Sequence, residues 1–158
     1  MTLTIAELEA CKEISEVKAR YCRMLDTKDW AGYADVFTED FILDTSAAGG
    51  PPPIHGREAA IRMIRASVET ARTAHQVHSP EITLKGDTAQ VIWAMQDRVV
   101  WGDDRRPKMG YAAHTGYGHY HEHYVRQDGR WRIARQRLTR LHVDFYREPP
   151  ADPPAARR

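Results

Sequence analysis

The hydrophobic period of this chain changes once, near Pro80, and that change constrains the fold more than any other feature. Before it, apolar residues recur at helical spacing; after it, they alternate with polar ones as strands require. Residues 5–27 read as one amphipathic helix, with Ile14, Val17, Tyr21, Met24 and Leu25 on its apolar side and Lys12, Glu13, Glu16 and Arg20 between them. A short helix over Trp30–Phe37 follows, with Asp29 as its N-cap, and then a short strand at Phe41–Leu43. Ala47–Pro53 is a loop, because its glycines and prolines defeat both regular structures. A third helix over Arg57–Arg72 buries Ala60, Ile61, Ile64 and Val68.

Beyond Pro80, Ile82–Leu84 leads through the turn Gly86-Asp87 into a long strand over Ala89–Trp101. A polar connection runs from Gly102 to about Gly116. Then come a strand over Tyr117–Arg126, the turn Asp128-Gly129 and a last strand over Trp131–Asp144. Three helices followed by long antiparallel strands make an α+β pattern. The 158 residues suffice for one core, assigned to residues 1–146. Residues 147–158, with four prolines and little apolar surface, read as a disordered tail.

Charge excludes several classes of function. A formal net charge of +1 leaves no basic stripe for phosphates, so nucleic acid is not an expected partner. No apolar run approaches the roughly 18 residues of a membrane span. The start, MTLTIAELEA, has neither a cationic nor an apolar signal region, which points to the cytoplasm. Cys11 and Cys22 lie in one helix, about 16 Å apart at roughly 1.5 Å per residue, too far for a disulfide.

A strongly curved sheet folded over helices leaves a concave apolar cavity with one mouth, suited to a small hydrophobic molecule. Tyr21 and Asp26 lie about 140° apart on the helical wheel, so they share a face only if the helix frays at its end. Asp26 is otherwise a surface residue. His75 and His78 sit between the third helix and the sheet; imidazole, with an unperturbed pKa of about 6.5, suits proton transfer but needs a partner. Alternation puts Val91, Trp93, Met95, Asp97 and Val99 on one strand face. Asp97 there is a carboxylate in an apolar row, either functional or ion-paired with Arg140 or another arginine. The stretch Tyr117–Tyr124 puts Tyr117, His119, His121 and His123 on one face and Gly118, Tyr120, Glu122 and Tyr124 on the other. His119 and His123 are about 13 Å apart on a straight strand, beyond the reach of one zinc ion. No metal site is expected. Trp93, Met95, Tyr120, Phe41 and His78 are the candidate substrate contacts.

The stretch Arg20–Asp26, with Asp29-Trp30 and Phe37–Asp40, resembles the opening of the SnoaL-like branch of the nuclear-transport-factor-2-like superfamily. The likeness continues through His75–Ile82, Ile92–Asp97, Gly116–Glu122, Gly129–Ala134 and Leu138–Leu141, covering about residues 5–145 in order. It lies nearest the branch holding bile acid 7α-dehydratase and scytalone dehydratase. The resemblance implies a cone-shaped α+β barrel, with three N-terminal helices on a strongly curved, mostly antiparallel sheet. It also implies that Asp26 orients His75, which takes a proton from carbon, with Tyr21, Asp97 and Arg140 completing the site. His75 takes precedence over His78 because it matches the first position of the family's histidine cluster. Gln76-Val77 departs from the His-Gly of close relatives, and the connection before Gly116 is longer. No cofactor is implied, and no Gly-x-Gly-x-x-Gly, phosphate-loop or zinc motif occurs.

The expected function is a cofactor-independent lyase of dehydratase type acting on a small hydrophobic cyclic or aromatic molecule. A ketosteroid-isomerase-like isomerase or a protein that only binds such a molecule are the alternatives, since one fold serves both. A homo-oligomer is expected, a trimer before a dimer, because the resemblance points that way and exposed apolar sheet surface calls for a partner.

Overall fold

Thr4 opens the first helix with a reciprocal cap: its hydroxyl accepts from the Glu7 N–H, and the Glu7 carboxylate accepts from the Thr4 N–H at 2.8 Å. In the computed structural model, which describes residues 3–103 and 110–148, this helix, α1, spans Ile5–Thr27. Lys28 ends it in the left-handed region at φ 62°, and the Asp29 N–H closes back on the Met24 carbonyl at 2.9 Å. Asp29 then caps α2 (Trp30–Asp35) by accepting from the Gly32 N–H. This helix stops short of Phe37 because Phe37 already pairs with Ile133 in the sheet.

The first strand, β1 (Phe37–Asp44), is longer than the sequence suggests. After one 3₁₀ turn at Ser46–Ala48 and the two-residue β2 (Ile54–His55), α3 covers Arg57–Val68. It ends four residues before the expected Arg72, because Arg72–Val77 is a strand, β3, paired with residues 95–100. The stretch containing His75 is therefore part of the sheet rather than a connection to it. The remaining strands are β4 (Glu81–Lys85), β5 (Thr88–Val100), β6 (Ala113–Gln127) and β7 (Arg130–Tyr146). Strand β6 starts four residues before the expected Tyr117, so Ala113–Gly116 belong to the sheet too. Residues 104–109 of the expected connection, and residues 149–158 of the expected tail, lie outside the described residues.

The sheet runs in the order β2-β1-β7-β6-β5-β3, with β4 also paired to β5. Strands β5, β6 and β7 form an antiparallel meander, whereas β1 joins β7 in parallel. The fold is thus three helices on a curved, unclosed, mostly antiparallel sheet, as expected from the change of period together with the family resemblance. Register shifts on the β6–β7 ladder at Tyr117/Gly118 and His123/Tyr124 help it bend. At the first of these a Cβ on residue 118 would lie 1.9 Å from the Thr139 carbonyl oxygen, so only glycine fits.

The apolar side of α1 (Ile14, Val17, Tyr21 and Leu25) packs into one core with Tyr33, Phe37 and Phe41 and with Val91, Trp93 and Met95 of β5. The opposite sheet face is mostly imidazole and guanidinium rather than the apolar surface expected there. It carries His119, His121 and His123 beside Arg135 and Arg137, with the exposed Tyr117 and Tyr146 toward the ends of β6 and β7. Trp93 and Val91 are buried inside. Among the described residues, no helix is long and apolar enough to cross a membrane.

Candidate active site

A cavity of about 400 Å3 opens between the concave sheet face, α1 and α3. Leu25, Leu43, Met63, Ile64, Val68, Trp101 and Leu138 give it apolar walls, and the loop from Thr45 to Pro51 borders it. A larger depression of about 670 Å3 among Glu39, Asp40, Arg57, Asp128 and Arg132 is charged and lacks such walls. The apolar cavity is the better ligand site.

One pair of side chains sets an imidazole against a carboxylate at the cavity wall. His75 projects from β3 onto the cavity wall, and its Nδ1 lies 2.6 Å from Asp26 Oδ1. Asp26 also accepts from the His75 backbone N–H at 2.8 Å and from the Thr73 hydroxyl at 2.8 Å. Lys28, turned back by its left-handed conformation, donates to that same hydroxyl at 2.8 Å. Burial, the largest single influence, would raise the Asp26 pKa, but the His75 and Thr73 donors hold it below its ordinary value. The carboxylate is therefore ionised, takes the Nδ1 proton as a hydrogen bond, and leaves the Nε2 lone pair of His75 without a protein partner among the described residues. The 140° between Tyr21 and Asp26 needs no fraying. Tyr21 faces the cavity itself, while Asp26 works from the helix end through His75.

A second ionised group lies one strand away. Asp97 stands directly opposite His75 in the β3–β5 ladder and is gripped by both terminal nitrogens of Arg140, at 2.7 and 2.6 Å. Burial would raise its pKa, yet His114 and Arg140 together hold it far below the usual carboxylate range. The ion pair lies over Gly116, where a Cβ would come within 2.2 Å of Arg140 Nη1 and 2.5 Å of Asp97 Oδ1. Gly116→Ala is therefore expected to part the two charges and cost about 1–3 kcal/mol of stability, read by urea denaturation. An unchanged midpoint would mean that the pair shifts aside freely.

The cavity floor is phenolic. Tyr21 Oη accepts from Gln136 Nε2 at 3.1 Å, so its own proton is available to a ligand. Burial raises its pKa and outweighs the Lys18 ammonium beside it, so it stays protonated. Tyr33 Oη and Gln136 Oε1 are buried there without a formed hydrogen bond. Below them the Lys18 ammonium, wholly buried, sits 3.6 Å from the Tyr21 ring centre and 3.8 Å from that of Tyr120. It pairs with Glu122 at 2.6 Å, and Glu122 also accepts from the Tyr124 hydroxyl.

Of the residues singled out in the sequence, His75, Tyr21, Asp97, Arg140 and Tyr120 line the cavity, and Asp26 holds one of them. Trp93, Met95 and Phe41 instead pack in the core beneath it, because inward alternation does not distinguish a cavity wall from a helix contact. His78 lies past the end of β3 and is not on the wall; its N–H donates to the Ala94 carbonyl. His114, Gln136 and Tyr33 were not anticipated. His114 could have been, since the alternation Tyr120, Gly118, Gly116 extends back to it.

A SnoaL-like domain profile matches residues 6–137. A scytalone dehydratase-like protein from Novosphingobium aromaticivorans superposes with a TM-score of 0.78 at 21% identity, over 99% of this chain and 100% of its own. A type 2 hexachlorocyclohexane dehydrochlorinase gives 0.79 at 14% identity, covering 94% and 97%. A protein of unknown function from Mycobacterium tuberculosis gives 0.70 at 27% identity, covering 84% and 77%.

Proposed function

The chain belongs to the SnoaL-like domain family, and on that premise we propose that its cavity is the active site of a lyase eliminating water or a similar group from a small hydrophobic cyclic molecule. The observation that carries the reading is the His75–Asp26 pair, its carboxylate held by three donors and its imidazole bordering an apolar cavity. His75 Nε2 takes a proton from a carbon beside a carbonyl. The Asp26 carboxylate fixes the tautomer and stabilises the imidazolium that forms. Tyr21, its oxygen already accepting from Gln136, donates to the carbonyl oxygen where negative charge develops. The volume, about 400 Å3, is near the lower end of the roughly 300–1,000 Å3 range of ligand pockets and suits one or two fused rings.

The test uses 1-indanone and 3-hydroxyindan-1-one, two-ring ketones with acidic hydrogens beside the carbonyl. The protein is expected to exchange those hydrogens in D2O, followed by NMR, and to dehydrate the hydroxy ketone. Isomerisation shares the first step, and product analysis separates it. A protein that binds without chemistry exchanges nothing above the solvent rate, and that outcome overturns the reading.

The same reading has the chain working as a homo-oligomer, a trimer ahead of a dimer. The exposed apolar side chains Leu141 and Phe145 on β7 support it, since such surface favours a partner. Light scattering at micromolar concentration is expected to give the trimer mass. A monomer would remove this part of the reading.

A further inference from the structure

Two strands away from His75, on the same concave face, the cavity wall carries a second imidazole against a second carboxylate. His114 Nε2 lies 3.5 Å from Asp97 Oδ1, an ion-pair distance at which no formed hydrogen bond is made, and the atom is buried. Its ring is braced by Trp101, with centroids 5.2 Å apart, and more loosely by Phe145 at 6.3 Å. Strands lie about 4.8 Å apart and His114 stands two residues, about 6.6 Å, off the row of His75, so the two backbones are on the order of 12 Å from one another. A substrate bearing a hydrogen and a hydroxyl on neighbouring carbons can bridge that gap.

The two pairs differ in what else their carboxylates hold. Among the described residues, Asp26 has no cation in direct contact other than His75 when protonated; Lys28 is one hydroxyl removed. Asp97 is already matched by the Arg140 guanidinium through two short hydrogen bonds. A proton arriving on His75 thus meets an unshared negative charge, whereas a proton on His114 faces a carboxylate shared with a permanent cation. The cavity wall thus presents two imidazoles against two carboxylates whose other partners differ.

We propose that His114 is the general acid of the elimination, protonating the leaving hydroxyl while His75 removes the hydrogen from carbon. The inference rests on the lyase reading of the site. As the C–H bond breaks, its electron pair forms the new C=C bond and its proton passes to His75 Nε2. The C–O bond breaks with its electrons on oxygen, which takes the proton from His114 Nδ1, Nε2 being the nitrogen turned to Asp97, and leaves as water. His75 ends charged and His114 neutral, and proton exchange with solvent restores both. Tyr21 serves the carbonyl oxygen rather than the leaving group. Among the described residues, the charged and titratable groups facing His114 are Asp97 from β5 and Arg140 from β7, with Tyr111 beyond the Trp101 ring.

Leaving-group chemistry gives the test. Dehydration of 3-hydroxyindan-1-one needs a proton on the departing oxygen; loss of acetate from 3-acetoxyindan-1-one does not, and exchange in 1-indanone involves no leaving group. His114→Asn is expected to slow the dehydration about 10²–10⁴-fold more than it slows acetate loss or exchange. Equal losses in all three assays, or an unchanged dehydration, overturn the assignment. If the variant fails to fold, wild-type pH profiles decide: the hydroxy substrate should show a falling basic limb that the acetoxy substrate lacks, and matching profiles overturn it. A wild-type protein that exchanges nothing refutes the lyase reading, a failure distinct from that of His114.

Discussion

Removing the His75 imidazole is expected to slow both exchange in 1-indanone and dehydration of 3-hydroxyindan-1-one by about 10²–10⁴-fold, since a positioned general base contributes that much. Folding should be nearly intact, because His75 lies at the cavity wall and its β3 backbone pairing with β5 survives the change. Circular dichroism and a thermal melt of His75→Ala check this. Asp26→Asn should be as damaging by a different route. The amide can offer its NH2 group to Nδ1, which then becomes an acceptor, and the proton moves to Nε2. In a comparable triad an Asp-to-Asn change costs about 10⁴-fold. The two losses should not add in the double variant, since both remove one base. Additive losses, or ordinary exchange by His75→Ala, would refute the assignment.

Lys18→Met is expected to cost about 3–5 kcal/mol of stability, because it leaves the Glu122 carboxylate buried without its cation. In a domain of this size each kcal/mol lowers the melting temperature by roughly 2–4 °C, so the drop should be of the order of 10 °C. Lys18→Met/Glu122→Gln should recover most of it, since the neutral amide still accepts from the Tyr124 hydroxyl and strands no charge. Urea denaturation of the wild type and the two variants measures the loss and its recovery. A double variant no more stable than the single one would show that Lys18 matters through its contact with the Tyr21 and Tyr120 rings rather than through its charge.

These expectations draw on the sequence unequally. The alternation over β5 correctly put Val91, Trp93, Met95, Asp97 and Val99 on the buried face, because side-chain direction in a strand is a local property. The same rule said nothing of which would border empty space. Trp93 and Met95 meet other side chains, whereas Asp97 and Val99 reach the cavity, a difference made by where α1 and α3 sit over the strand. Strand β3 was missed for a related reason. It pairs through one ladder with β5, and its side chains Arg72, Thr73, His75 and Gln76 carry no apolar alternation. What makes it a strand is the exposed ladder of residues 95–100, which is remote in sequence.

By itself the sequence determined the helix-then-strand order, the inward faces of the long strands and, through its likeness to a family, the identity of His75 and Asp26 as partners. Period and residue type are carried by neighbours in the chain, and so are legible there. Only the tertiary structure decided that β1 joins β7 in parallel, that Lys18 is buried against Glu122 104 positions away, and that Asp97 is shared by Arg140 and His114. Each of these depends on a contact between distant segments, whose energy comes from desolvation and charge pairing that no local window of sequence contains.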